Sequence, residues 1–204
     1  MIHTLLKGKK VVLASASPRR RQIFKQLGLK TLHKIANIDE SINTNNPRKY
    51  VLEMSKQKAR KVAEAMDEDS IVVAADTVVF IDREILSKPS NRFQAADYLT
   101  RLSGKTHFVY TGICVYYKRK CVCDYAKTAV TFNTLSAKEI SEYLDTSEPD
   151  DKAGAYGIQG YGCQFISKIC GCYFNVMGFP VAKFYQLLTD KMLNNTNIDI
   201  TKVG

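Results

Sequence analysis

The chain contains no run of about eighteen uninterrupted apolar residues, which excludes an ordinary membrane-spanning helix. Its first residues lack the long apolar stretch and small-residue cleavage site of a secretory signal, so the expectation is a cytoplasmic protein with no membrane partner. No segment repeats at a fixed period and none is of low complexity, which argues against a solenoid or array. The three histidines, His3, His33 and His107, form no triad or metal-ligand pattern. Acidic residues are scarce at one end. Residues 1–60 carry 14 Lys and Arg against 3 Asp and Glu, whereas residues 61–204 carry 16 against 17. The net charge of +10 therefore belongs to the first part of the chain. Such an asymmetry fits an anionic partner, either nucleic acid or a small phosphorylated compound, with a solvated basic face as the plain alternative.

Six cysteines (Cys114, Cys121, Cys123, Cys163, Cys170, Cys172) include the pairs "CVC" and "CGC" but lack the two-residue spacer of common zinc sites. A Cys-x-Cys pair on a strand turns both thiols to one face, so Cys121, Cys123, Cys170 and Cys172 could meet at zinc. Reduced strand thiols are the preferred reading. With 204 residues and 45% apolar content the chain can bury an ordinary core, as one domain over 1–204 with a frayed tail over 194–204.

Helices and strands interleave. "KKVVLAS" reads as a short buried strand, followed by a helix from Pro18 to about Leu27, capped by Ser17 and stopped by Gly28. "TLHKIAN" is a candidate second strand; Asn46 then caps a long amphipathic helix opened by Pro47. "IVVAADTVVFID" reads as a buried strand broken at Asp76 and Thr77. Asn91 caps a helix ended by Gly104. "THFVYTGICVYY" and "CVCDYAKTAVTFNT" form a long hairpin around "KRK", and Ser136 with Glu139 forms a capping box. The glycine-rich "DDKAGAYGIQGYGCQF" reads as a shaped loop, "GCQFISKICGCYFNVMG" as a second hairpin and "PVAKFYQLLTDKML" as a final helix.

The stretch "LASASPRRR" sets Ser15 and Ser17 before free backbone N–H groups at a helix start, with Arg19, Arg20 and Arg21 behind them. A helix N-terminus is already partly positive, so clustered arginines there are unfavourable unless an anion arrives. Successive helical residues turn by about 100°, so only one or two of the three can face a single ligand. Asp76, flanked by apolar residues, must be paired, hydrogen-bonded or metal-bound, or else fix a strand break through its own backbone. Lys88 precedes a proline and lies in extended chain within reach of the same cleft. Gln159, between glycines, can read a base edge through its amide, with a plain glycine turn as the alternative. Lys58 lies among solvated helix charges, one of which can turn inward. Glu40, in "IDESI", lies in a polar loop where an exposed acid is ordinary.

Taken together, "LASASPRRR", "AADTVV", "SKP", "LSGKTHFVYTGI", "DKAGAYGIQGYG" and "YFNVMGFP" resemble the Maf family of nucleoside triphosphate pyrophosphatases, collinearly from about residue 10 to 190. The resemblance implies an α/β fold with an elongated, curved mixed sheet, flanking helices and two lobes around a deep cleft, similar to inosine triphosphate pyrophosphatases. It implies hydrolysis of a nucleoside triphosphate to monophosphate and diphosphate with a divalent metal, Mg²⁺ or Mn²⁺, commonly by a homodimer. Carried onto this chain, the phosphate-binding serine and arginine fall on Ser15 and Arg19, the early-loop acid on Glu40 and the helix lysine on Lys58. The general base falls on Asp76, followed by Thr77 in the same motif; the next lysine falls on Lys88 and the specificity glutamine on Gln159. "YGIQG" is similar to the branch acting on dTTP and UTP, and Ala75 stands where a glycine is usual. Glu40 and Asp76 are the expected metal carboxylates, and water activated by Asp76 or the metal is expected to attack the α-phosphorus. Against this stand a basic nucleic-acid-binding module and a division-control protein with vestigial catalysis; the chain carries no recognised nucleic-acid motif and identifies no such partner.

Overall fold

The structure, a computed structural model, describes residues 1–39 and 42–193; Glu40 and the expected frayed tail over 194–204 lie outside the described residues. Among the described residues seven strands form one mixed sheet: β1 (Lys10–Ala14), β2 (Leu32–Lys34), β3 (Ser70–Ile81), β4 (Glu84–Leu86), β5 (Thr106–Tyr117), β6 (Lys120–Phe132) and β7 (Ile166–Cys170). The order is β2-β1-β3-β5-β6-β7, with β4 also paired to β3. β1 is parallel to both β2 and β3, and the remaining pairings are antiparallel. The helices are α1 (Ile2–Leu5), α2 (Pro18–Gln26), α3 (Pro47–Ala63), α4 (Arg92–Leu102), α5 (Ala137–Leu144), α6 (Tyr173–Val176) and α7 (Val181–Gln186), the last running on as a π-helical segment over Leu187–Leu193.

The local chemistry places these elements. Ser17, Asn46, Asn91 and Ser136 each accept a backbone N–H in the first turn of α2, α3, α4 and α5, and Ser136 completes its capping box with Glu139. The β3–β4 and β5–β6 hairpins turn through two residues of positive φ, Asp82 and Arg83 (50° and 65°) and Lys118 and Arg119 (45° and 61°), whose twist matches that of the strands they join.

Alternation along β3 divides the packing. Ile71, Val73 and Ala75 join Leu13, Ile23, Phe24, Phe179 and Phe184 on one face. The three phenylalanine rings meet with centroids 4.9–5.7 Å apart, each burial contributing about 1.5–3 kcal/mol. Further along the strands, Val79, Leu86, Leu99, Leu102, Phe132 and Tyr156 form a second core with α4 and α5. Val72, Ala74 and Cys114 face α3, against Ala59 and Val62. α3 approaches β5 at Gly112, where an added Cβ would sit inside the van der Waals envelope of the Val51 carbonyl and 2.9 Å from the Leu52 nitrogen.

Three expectations need correction. β3 is not broken at Asp76 and Thr77: it pairs without interruption to β5, with Asp76 opposite Gly112 and Thr77 opposite Thr111. The interruption lies on its other edge, where β1 pairs only with Ser70–Val73 and β4 only with Val79–Ile81. Residues 74–78 thus have no strand partner on that edge among the described residues, and the sheet opens there. "GCQFISKICGCYFNVMG" gives one strand, β7, rather than a hairpin, because Gly171 (φ 129°) turns the chain into α6. Finally, Cys170 pairs with Ala129, six residues along β6 from Cys123 or roughly 20 Å, so the four cysteines of the two Cys-x-Cys pairs do not meet. The thiols that do converge are those of Cys114, Cys121 and Cys123.

Candidate active site

The opening in the sheet leads into a cavity of about 370 Å³, within the size range of small-molecule sites. One wall is the turn from β1 into α2, from Ala14 to Arg20. Ser15 is buried, and its Oγ accepts from the Ser17 N–H and from Arg20 Nη1, both at 3.2 Å. This folds the turn back on itself and sets the first residues of α2 along the cavity; Pro18 has no N–H there and the Arg20 N–H goes to Ser17 Oγ.

β3 forms the floor. Because strand side chains alternate, Asp76 faces α3 and Thr77 faces α2. Asp76 is 8% exposed, and its Oδ1 accepts from Lys58 Nζ at 2.6 Å, an ion pair largely withdrawn from water. Lys58 is the charge of α3 that turns inward. Thr77 Oγ1 lies 3.0 Å from Arg20 Nη2 and 3.0 Å from Thr111 Oγ1, and Thr111 donates onward to the Asn175 carbonyl. With that donation fixed, the Thr77 hydroxyl donates to Thr111 and accepts from Arg20. Arg20 also donates from Nε to the Gly178 carbonyl at 2.8 Å. One guanidinium therefore ties the α2 turn, β3 and the α6–α7 connection together.

Arg19 reaches Asp151 at 3.3 Å, a partly exposed pair of long geometry. Lys152 Nζ donates to the Glu148 carbonyl at 2.6 Å and to Asp151 at 2.7 Å. Burial pushes the Asp151 carboxyl up, but the Lys152 hydrogen bond and the charges of Arg19 and Lys152 together outweigh it and hold the group below the usual carboxylate range. Lys88, on the exposed segment after β4, lines the mouth. Among the described lining residues five cationic side chains (Arg19, Arg20, Lys58, Lys88 and Lys152) face two carboxylates (Asp76 and Asp151). That balance suits a multiply charged anion.

The structure thus gathers Ser15, Arg19, Lys58, Asp76, Thr77 and Lys88 around one cavity. Gln159 is half-buried and lies beside the lining, which is reached by Gly157 and Ile158 of the same loop. Glu148 shapes that loop: its carboxylate accepts from the Tyr161 and Gly162 N–H groups and from the Tyr143 hydroxyl. The sequence offers Arg20 only as one of three arginines of which one or two can face a ligand, and it does not mark Lys152. For Arg20 the signal was present, because the residue three after a helix cap returns to the side of the cap; for Lys152 only the folded loop supplies it.

A family model for Maf-like proteins matches residues 10–191. The chain belongs to the Maf-like protein family. This Maf-like chain is 46% identical over 181 residues to a dTTP/UTP pyrophosphatase of Caldanaerobacter subterraneus subsp. tengcongensis, covering 88% of this chain and 87% of that protein. It is 44% identical over 196 residues to a dTTP/UTP pyrophosphatase of Clostridium perfringens, covering 94% and 98%. The solved structure of the Staphylococcus aureus Ham1 protein overlays with a TM-score of 0.47 at 13% identity, covering 78% of this chain and 80% of that one, a likeness too distant to carry an argument.

Proposed function

We propose that this chain hydrolyses the α–β phosphoanhydride of nucleoside triphosphates of the dTTP and UTP kind, giving the monophosphate and diphosphate. The observation that carries the reading is the withdrawn Asp76–Lys58 pair at the opening of β3, lining with the α2 turn one cavity that has an excess of cations. The names of the relatives agree with it.

In this reading the phosphate chain lies along the α2 turn, accepting from Ser15, Arg19, Lys88 and Lys152. Arg19 exchanges its long contact with Asp151 for phosphate. Arg20 keeps the Ser15 turn at a fixed distance from β3. Asp76 orients a water molecule and takes its proton while the water oxygen bonds to the α-phosphorus, the bridging oxygen leaves with the diphosphate, and Lys58 holds the carboxylate in position. The donor set suits a hard divalent cation such as Mg²⁺ or Mn²⁺: the cavity offers carboxylate oxygen from Asp76, and such ions bind through one or two carboxylates plus substrate phosphates. When bound, the cation supplies charge neutralisation on the phosphates and lowers the cost of ionising water. The loop of Gly157 and Gln159 is the base-reading side, with the Gln159 amide as donor and acceptor.

The test is hydrolysis of dTTP and UTP in ¹⁸O-labelled water, scored for released diphosphate and for the position of the label. The label belongs in the monophosphate, and Asp76→Asn should fold normally yet lose turnover by several orders of magnitude. Label in the diphosphate, or parental turnover in Asp76→Asn, overturns the proposal.

A further inference from the structure

On the face of the sheet covered by α3, Cys114 of β5 stands directly opposite Cys123 of β6, and Cys121 lies two residues along β6, diagonal to Cys114. The Cys114 and Cys121 sulfurs are 3.0 Å apart and those of Cys121 and Cys123 3.9 Å, and all three lie within 4.8 Å of one another. Cys114 is fully buried, while Cys121 and Cys123 are half-buried and reachable from solvent. The charges of Arg60 and Lys56, from α3, act on Cys121.

We propose that Cys114, Cys121 and Cys123 form a three-thiolate site for a thiophilic d¹⁰ cation, Zn²⁺ or Cu⁺, separate from the phosphate cavity. Disulfide chemistry fits the geometry less well. In a pleated pair, opposite Cβ atoms are about 4.5–5.5 Å apart and diagonal ones farther, whereas a disulfide needs about 3.5–4.5 Å. A disulfide joins two sulfurs, whereas here three converge within 4.8 Å of one another. A cation with metal–sulfur bonds of about 2.3 Å wants its sulfurs about 3.8–4.0 Å from each other, within the spread seen here. Each thiol gives up its proton as it ligates. Three thiolates around Zn²⁺ or Cu⁺ leave a net negative centre, which Lys56 and Arg60 offset. Soft ligands of this kind select Cu⁺ and Zn²⁺ over Mg²⁺ and Mn²⁺, so the two kinds of cation would not compete for one site. Zn²⁺ would keep water in a fourth position on the half-exposed side; Cu⁺ needs no fourth ligand.

The experiment uses the full chain, reduced and stripped with a chelator. It is titrated without oxygen with Cd²⁺, as a spectroscopic stand-in for Zn²⁺, and separately with Cu⁺, following thiolate-to-metal charge-transfer absorption. The expected result is saturation at one equivalent, at least tenfold weaker binding in Cys121→Ser and in Cys123→Ser, and no change in the Cys163→Ser/Cys170→Ser double variant. Saturation with both ions, or with Cu⁺ alone, supports the site and assigns its coordination as open tetrahedral or trigonal. Absence of a one-equivalent band for both ions, in parent protein whose six thiols all titrate as reduced, overturns the proposal. So does a band that survives in both folded cluster variants.

Discussion

Gly112→Ala tests the link between packing and chemistry most directly. The added methyl would overlap the Val51 carbonyl and lie 2.9 Å from the Leu52 nitrogen, where carbon–nitrogen contacts usually begin near 3.5 Å. Relief requires α3 to move from β5 by on the order of 1 Å, since backbone rather than a flexible side chain is in the way. Overpacking of this kind costs about 1–3 kcal/mol, a fall in Tm of roughly 2–12 °C for a chain of this size. The same shift carries Lys58, two helical turns further on, away from the 2.6 Å contact that positions Asp76. A misplacement of about 1 Å can cost up to 100-fold in turnover. Gly28→Ala is the matched control: Gly28 has φ 69° with nothing within 4 Å of an added Cβ, so it loses about 1 kcal/mol to backbone strain without touching α3. Calorimetry and diphosphate release, measured on both variants, separate lost stability from lost geometry. If Gly112→Ala keeps parental Tm and a kcat within twofold, the packing of α3 does not set the Asp76–Lys58 contact.

Arg20→Ala removes three hydrogen bonds at once and should cost about 1–3 kcal/mol together with most of kcat, whereas Arg19→Ala, whose partner contact is exposed, should leave Tm nearly unchanged and raise KM about tenfold; equal effects of the two in steady-state kinetics would refute the division of roles. Glu148→Ala orphans the Tyr161 and Gly162 N–H groups and should loosen the Gln159 loop, seen as faster amide exchange over residues 157–162 and weaker discrimination between bases. Burial lowers His107 to about 3, from 6.5, with Nε2 2.7 Å from the Tyr156 hydroxyl. Between those values the unfolded chain binds a proton that the folded chain refuses, so stability falls as pH drops below 6.5, by up to tenfold in the folding equilibrium per pH unit from this group. His107→Gln should flatten that slope in denaturant titrations at pH 4–7.

Much of the architecture could be read locally because its causes are local. A cap such as Ser17, Asn46, Asn91 or Ser136 acts on backbone three residues away, and the twist of the Lys118–Arg119 turn is a property of two residues. The misreadings arose where the cause lies elsewhere in the chain. Asp76 looked like a break because a carboxylate in an apolar run has no local reason; its partner Lys58 is on another element, and the interruption belongs to neighbouring strands that stop short on one edge. The second Cys-x-Cys pair looked equivalent to the first, but register sets Cys170 beside Ala129 and brings Cys114 to the first pair instead.

By itself the sequence determined the alternation of strands and helices, their caps and turns, the basic excess of the first sixty residues and the short motifs that place the chain in its family. Each is a matter of residue type and spacing along a few consecutive positions. Tertiary structure alone decided that Arg20 reaches Thr77 and the Gly178 carbonyl across the site, that Lys58 of all the α3 charges meets Asp76, and which three thiols share a face. Those outcomes depend on strand register and on how closely α3 can approach Gly112, distances fixed only once the sheet is assembled.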